Sequence, residues 1–282
     1  MPASPLSSAQ EARKAIADRL GGIRRDAELT GLELAQRCGW HASKSSRIEN
    51  ARTMPSDTDI RAWCEACGVP ERAADLIAAS RSADSMYTEW KRIHRTGMRQ
   101  TQEAITPLFE RTRHMRVYCS AVVPGLLQTP AYATGLLEAI TEFRGIPNDV
   151  PEAVAARMAR SNVIREGNHR FALLVEEDVL RHQLADDEGM AGQLGYLLTV
   201  MSLPNVSLGV VPFKGRRKMW PVESFSIFDD TRVQVELLSA RVVVTAPGEI
   251  STYAKAFQDM SRMAVYGAHA RALITEAIAA LG

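Results

Sequence analysis

Three things are scarce in this chain of 282 residues, and each scarcity removes a class of protein. Cysteine is the first. Four thiols (Cys38, Cys64, Cys67 and Cys119) in so long a chain make no disulfide framework, and a reducing compartment keeps them free. Cys64 and Cys67 form a C-x-x-C, but structural zinc takes four ligands and the other two cysteines show no paired spacing. Both also fall on the apolar stripe of a predicted helix, so they read as small buried hydrophobes.

Long apolar runs are the second scarcity: no stretch is apolar enough to span a bilayer. Residues Met1 to Gln10 are small and polar, without the apolar centre of a secretory signal. The expected location is the cytoplasm, with no membrane partner. Charge of one sign is the third, since 34 Lys and Arg face 33 Asp and Glu for a net of +1. Any contact with nucleic acid must therefore come from a local arrangement of charge.

Catalytic signatures are missing too. The six histidines (His41, His94, His114, His169, His182, His269) fall in no ligand spacing, and no Walker loop, H-E-x-x-H or G-x-S-x-G occurs. Glu176, Glu177 and Asp178 could be paired catalytic carboxylates, but acids that follow a strand more often cap the next helix. The expectation is no enzyme activity, no metal and no cofactor. What remains is ordinary globular material, 46% hydrophobic and 24% charged, long enough for a small module and a larger one.

The small module, residues 9–80, reads as five short helices. Ala12, Ile16, Leu20, Ile23 and Ala27 recur at helical spacing in the first, which ends near Glu28. Thr30-Gly31-Leu32-Glu33 is a capping box opening a second helix of about two turns, closed by Gly39. The third, His41 to Asn50, is polar on most faces, with Ile48 as its main anchor. Ser56 caps a fourth, whose Ile60, Trp63, Cys64 and Cys67 keep helical spacing. The fifth is Glu71 to Ala79, and the polar stretch Ser80 to Asp84 reads as a boundary before a second domain, residues 85–282.

Helix, glycine turn, helix between Thr30 and Asn50 is the spacing of a helix-turn-helix, in which the second helix enters the major groove of duplex DNA. With Ser45 and Ile48 inward, Ala42, Ser43, Lys44, Ser46 and Arg47 face outward and His41 begins the helix. Arg47 suits base reading, because a guanidinium bonds guanine O6 and N7 together. Lys44, Arg52, Arg24 and Arg25 suit phosphates. Residues 13–52 hold nine Lys and Arg against five Asp and Glu, a local net of +4. Docking of another protein is the bland alternative. Two half-sites raise affinity and specificity, so a homodimer is expected.

Leu34-Ala35-Gln36-Arg37-Cys38-Gly39-Trp40, then Ser43-Lys44, Ser46-Arg47-Ile48-Glu49-Asn50 and Pro55, resembles the Xre/phage-repressor-like helix-turn-helix family. That family often has serine and glutamine where this chain has His41 and Ala42, a buried aliphatic at Ser45 and a glycine at Ala51. The remainder resembles the C-terminal domain of actinobacterial antitoxin-like transcriptional regulators, through Val123-Pro124-Gly125-Leu126-Leu127-Gln128-Thr129, Arg157-Met158-Ala159-Arg160, Val175-Glu176-Glu177 and Pro204-Asn205-Val206 to Phe213. The resemblance implies a transcriptional regulator, often paired with a small acidic protein, and no enzyme.

In the second domain, Met86 to Arg116 reads as helical, with helices also to about Phe143 and over 151–166, 190–203 and 251–266. Strands are expected at 171–175, 206–211, 224–228 and 232–238. The predicted class is α+β with a small antiparallel sheet behind the all-α module. Lys214, Arg216, Arg217, Lys218 and Trp220 join two predicted strands, as a solvated hairpin loop or a surface for an acidic protein partner. Residues Val123 to Tyr132 read as core rather than as the wall of a ligand pocket. The function expected is a DNA-binding transcriptional regulator. The alternatives are an antitoxin-type binder of a small acidic protein and a repressor gated by a small apolar effector.

Overall fold

The computed structural model describes residues 5–281, the side chains of 5–9, 78, 82, 84–87 and 91 aside. Residues 1–4, part of the segment read for a secretory signal, lie outside the described residues. The chain divides into two compact units, Met1–Thr88 and Glu89–Gly282.

The first unit is helical: α1 (Pro5–Asp26), α2 (Gly31–Arg37), α3 (Ala42–Glu49), α4 (Asp57–Ala66) and α5 (Ala73–Met86). α2 and α3 are too short to hold alone, so their ends and their packing must fix them. Both ends are chemically specified. The Thr30 hydroxyl accepts from the Glu33 amide, and the Glu33 carboxylate accepts from the Thr30 amide at 2.7 Å, holding that carboxyl below its usual range. Ser56 and Asp59 repeat the box at α4. Gly39, at φ +67°, closes α2: the Gly39 amide donates to the Gln36 carbonyl and the Trp40 amide to that of Ala35. This is the Schellman pairing, which needs a left-handed residue. Leu20, Leu34, Ile48, Ile60 and Trp63 fill the core, and the Trp63 indole N–H donates to the Leu20 carbonyl at 3.0 Å. α5 runs on through Ser80–Asp84, where the polar composition reads as a boundary.

The second unit corrects the expected small antiparallel sheet. The sheet is mixed and, with the short β1 (Tyr87–Glu89) that straddles the division, has seven strands. In the order β7-β6-β5-β2-β3-β4 it holds β2 (His114–Cys119), β3 (Arg170–Glu176), β4 (Val206–Val211), β5 (Phe225–Phe228), β6 (Arg232–Glu236) and β7 (Ala240–Val244). β2–β3 and β3–β4 pair in parallel, while β2–β5, β5–β6 and β6–β7 pair antiparallel. Parallel neighbours need long crossovers, and the helices between these strands are those crossovers: α8 (Pro130–Arg144) and α9 (Val150–Ser161), then α10 (Asp187–Val200).

The helix expected over 86–116 is also corrected. β1, α6 (Trp90–Ile93), α7 (Arg99–Arg111) and β2 occupy it. β7 and the terminal helix α12 (Gly267–Ala279), which follows α11 (Pro247–Met263), lie outside the expected elements. The main core joins Val117, Leu127, Leu173, Val175, Leu194, Leu197 and Val210. Val123, Leu126 and Tyr132 belong to it, as read from the sequence, and the Tyr132 hydroxyl accepts from the Val123 amide at 3.1 Å.

Candidate nucleic-acid interface

α3 is held by two inward residues. Ser45 and Ile48 are each 1% exposed. The Ser45 hydroxyl lies 3.0 Å from the Ala42 carbonyl and 3.2 Å from that of Gly31, so its one proton is shared between α3 and the start of α2. The buried hydroxyl thus has two carbonyl partners. His41 caps the helix, its Nδ1 accepting from the Ser43 amide at 3.3 Å and lying 2.9 Å from the Ser43 hydroxyl.

The cations read from the sequence divide into two groups. Arg47 and Arg52 are exposed and, among the described residues, form no ion pair. Arg25 is exposed as well, its guanidinium 3.7 Å from Glu49. Arg24 is committed elsewhere: it grips both carboxylate oxygens of Glu49, at 2.5 and 3.2 Å, and donates to the Leu29 carbonyl at 2.6 Å. Lys44 is committed too, with its ammonium 2.6 Å from Asp59 and 4.4 Å above the Trp40 ring. Burial raises the Asp59 carboxyl, but hydrogen bonds from Lys44 and Ser56 outweigh it and hold the group below its usual value. Arg24 and Lys44 therefore brace α3 against α1 and α4.

Ser43, Ser46, Arg47 and Arg52 are exposed on and just after α3, with Ala42 and His41 exposed at its start. Glu49 and Asp59, which set the helix's position, were missed by sequence reasoning. The capping position of Asp59, three residues after Ser56, is readable in the sequence, but nothing there pairs Asp59 with Lys44 or Glu49 with Arg24. In the structure Gly21 lies beside the second pair, where an added Cβ would sit 2.8 Å from the Glu49 carboxylate.

The other sequence candidates lie in the second unit. Arg217 is bound by both Glu176 oxygens, one at 3.0 Å, and the Tyr118 hydroxyl donates to the same carboxylate at 2.7 Å. Burial first, then Glu176, pushes the Tyr118 hydroxyl up. Glu177 accepts from the Phe213 amide at 2.8 Å. Glu176 and Glu177 thus anchor the 213–217 loop and cap no helix, since the short 3-10 turn after β3 has no side-chain cap. Lys214, Arg216, Lys218 and Trp220 stay exposed, as does Phe213. The C-x-x-C thiols are free, and burial pushes Cys67 up to about 11. Among the described residues no His, Cys, Asp or Glu cluster could hold a metal, and no helix is long and apolar enough to cross a membrane.

These features define a helix-turn-helix protein with an α+β second unit built on a mixed sheet, and residues 15–77 match the family described as "Helix-turn-helix domain". The chain belongs to the family described as "Domain of unknown function (DUF5753)", which it matches over residues 104–276. No curated protein matches it. Among solved structures it is similar to one described as "Structure of TrmBL2, an archaeal chromatin protein, shows a novel mode of DNA binding". The identity is 10% and the TM-score 0.33, over 85% of this chain and 88% of that one, a likeness too slight to argue from.

Proposed function

We propose that this protein is a sequence-specific DNA-binding transcriptional regulator that works in the cytoplasm as a homodimer and catalyses no reaction. The observation that carries this reading is the outer face of α3. Ser43, Ser46 and Arg47 are exposed on a helix whose inner face and caps are fully specified, with Arg52 exposed beside it. A short helix held so firmly while offering mainly polar groups suits a groove. Arg47 reads base edges with Ser43, Ser46, Ala42 and His41 around it, and Arg52 and Arg25 meet phosphates. Arg24 and Lys44 act one step back, by fixing α3.

The test is fluorescence anisotropy on the protein's own promoter DNA across a salt series, with wild type and Arg47→Ala. The expected outcome is specific binding on the order of 10 nM that weakens with salt and loses its sequence preference in the variant. Equal affinity of wild type for promoter and random DNA would sink the reading.

One observation supports a second reading, in which the chain binds a small acidic protein. Phe213 and Trp220 are 56% and 68% exposed and flank Lys214, Arg216 and Lys218. Aromatic anchors among cations suit an acidic surface. Co-expression with a small acidic protein from a neighbouring gene tests it: the complex should persist through gel filtration and be lost with Trp220→Ala.

A further inference from the structure

A cavity of about 360 Å³ in the second unit lies between α7 and the face of β6 and β7. Sheet positions beneath a helix are ordinarily apolar. Here Val233 and Val235 alternate with Arg232 and Gln234, and the polar set is the one that reaches the cavity. Arg241 joins it from β7, next to β6 in the sheet, and Arg111 from the last turn of α7. Ile105 and Leu108 of α7 supply apolar wall.

Among the described residues, three buried polar atoms of this lining have no hydrogen-bond partner. Gln234 is 7% exposed, and its Nε2 has no hydrogen-bond partner; neither do the buried Nε atoms of Arg232 and Arg241. Among the described residues, none of the three arginines has a carboxylate within ion-pair distance. Burial, then the charges of Arg241 and Arg111, lowers the Arg232 pKa; burial lowers that of Arg241 against the opposing charge of Glu236. Buried donors left without partners call for an explanation. Glu236 faces Arg241 across β6 and β7, but it is exposed and outside ion-pair distance. Three cations thus converge on the cavity against one solvated carboxylate, and that excess of positive charge narrows the occupant to an anion. The apolar walls ask for an organic body, and the volume is that of a small-molecule site.

We infer that this cavity binds a small organic anion whose doubly charged oxyanion head, a phosphate monoester or a dicarboxylate, is gripped by Arg232, Arg241 and Arg111. Two guanidiniums suit the paired oxygens of either head. Gln234 donates a further bond, and the apolar body lies against Ile105 and Leu108. An apolar effector would bring no charge to match these cations. The site lies wholly within the second unit and stands independently of the DNA-binding reading.

The test is calorimetric titration and thermal melting of the full chain with phenyl phosphate, phthalate, inorganic phosphate and, as the neutral comparison, benzyl alcohol. Phenyl phosphate, phthalate or both should bind with a dissociation constant on the order of 1 mM or tighter and raise the melting midpoint, which benzyl alcohol should not. Which of the two wins identifies the head group, and weaker binding of inorganic phosphate shows the apolar body at work. Arg232→Gln with Arg241→Gln should weaken binding by about tenfold or more, while the exposed Arg271→Gln leaves it unchanged. The unliganded double variant should melt no lower than wild type, because it removes two half-buried charges that, among the described residues, have no carboxylate within ion-pair distance. A variant that melts several degrees lower would make the arginines structural and overturn the proposal. So would binding of neither organic anion, unchanged affinity in the variant, or stabilisation by polyglutamate alone, which would make the basic cleft a protein-docking surface.

Discussion

Arg24 and Glu49 are joined through two nitrogens and two oxygens, linking α1 to the last residue of α3. Their side chains are only 16% and 21% exposed, so the pair is shielded from water and salt. Glu49 first, through its hydrogen bond, raises the Arg24 pKa. Neither residue lies on the outer face of α3, yet both decide where that face points.

The first prediction follows. Glu49→Ala leaves the Arg24 guanidinium partly buried without its carboxylate, and the first unit should lose about 2 kcal/mol. Thermal unfolding should show a larger loss for Arg24→Ala, which also removes the donor to the Leu29 carbonyl. The double variant should lose no more than Arg24→Ala, because each single change already breaks the pair. Additive losses would mean that the two residues act separately.

Ala51 sets a second prediction. The Ala51 amide donates to the Ile48 carbonyl and the Arg52 amide to that of Arg47, repeating the closure Gly39 makes for α2. Here an alanine holds the left-handed position, at φ +55°. Its Cβ is strained there, and Ala51→Gly should stabilise the first unit by about 1 kcal/mol despite glycine's greater freedom in the unfolded chain. Denaturant unfolding should show a higher midpoint at unchanged slope; a lower midpoint would refute the strain.

The same two closures show what the sequence makes legible. Local chemistry is readable: Thr30, Gly39, His41 and Ser56 act on backbone groups a few residues away, so spacing alone places α2, α3 and α4. Long-range pairing is not. Arg24 and Lys44 look like free cations until Glu49 and Asp59 are found beside them, 25 and 15 positions along. In the second unit, β2 hides in His114-Met115-Arg116-Val117-Tyr118-Cys119 because its cover is distant in sequence, and its charged start reads as helix. The alternation Arg232-Val-Gln-Val-Glu236 would suit a strand with one face in water. Only α7, lying over that face, turns those polar residues into a cavity.

His94 gives a pH prediction. It stacks on Trp90 at 5.2 Å, and its Nδ1 accepts from Arg144 at 3.0 Å, which puts the proton of the neutral ring on the buried, unpartnered Nε2. Burial first, and then the Arg144 charge, pushes its pKa down to about 4 from 6.5. The unfolded chain therefore binds a proton that the folded chain refuses as pH falls from about 6.5 to about 4, and stability drops across that window by up to about 3 kcal/mol. Above it the contribution is constant. The second unit of His94→Gln should show a flatter stability profile between those limits, measured by denaturant unfolding at stepped pH; an unchanged profile would place the titration elsewhere.

Lys44 and Arg52 separate bracing from DNA contact. Both are cations beside the outer face of α3, and the charge pattern alone assigns both to phosphates. Arg52 is exposed and, among the described residues, in no ion pair, so Arg52→Ala should leave stability within about 0.5 kcal/mol of wild type. If it meets a phosphate, its loss weakens binding to every sequence alike and lowers the slope of log affinity against log salt by about 0.9. Lys44 is spent on Asp59 and on the Trp40 ring. Lys44→Ala should lower the melting midpoint of the first unit, because Asp59 loses its cation and Trp40 its cover, while the salt slope stays near that of wild type. Anisotropy across salt, read beside thermal melting of the same two variants, decides the assignment. If Lys44→Ala lowers the slope and spares stability, Lys44 leaves Asp59 for a phosphate on binding, and the division between bracing and contacting cations falls.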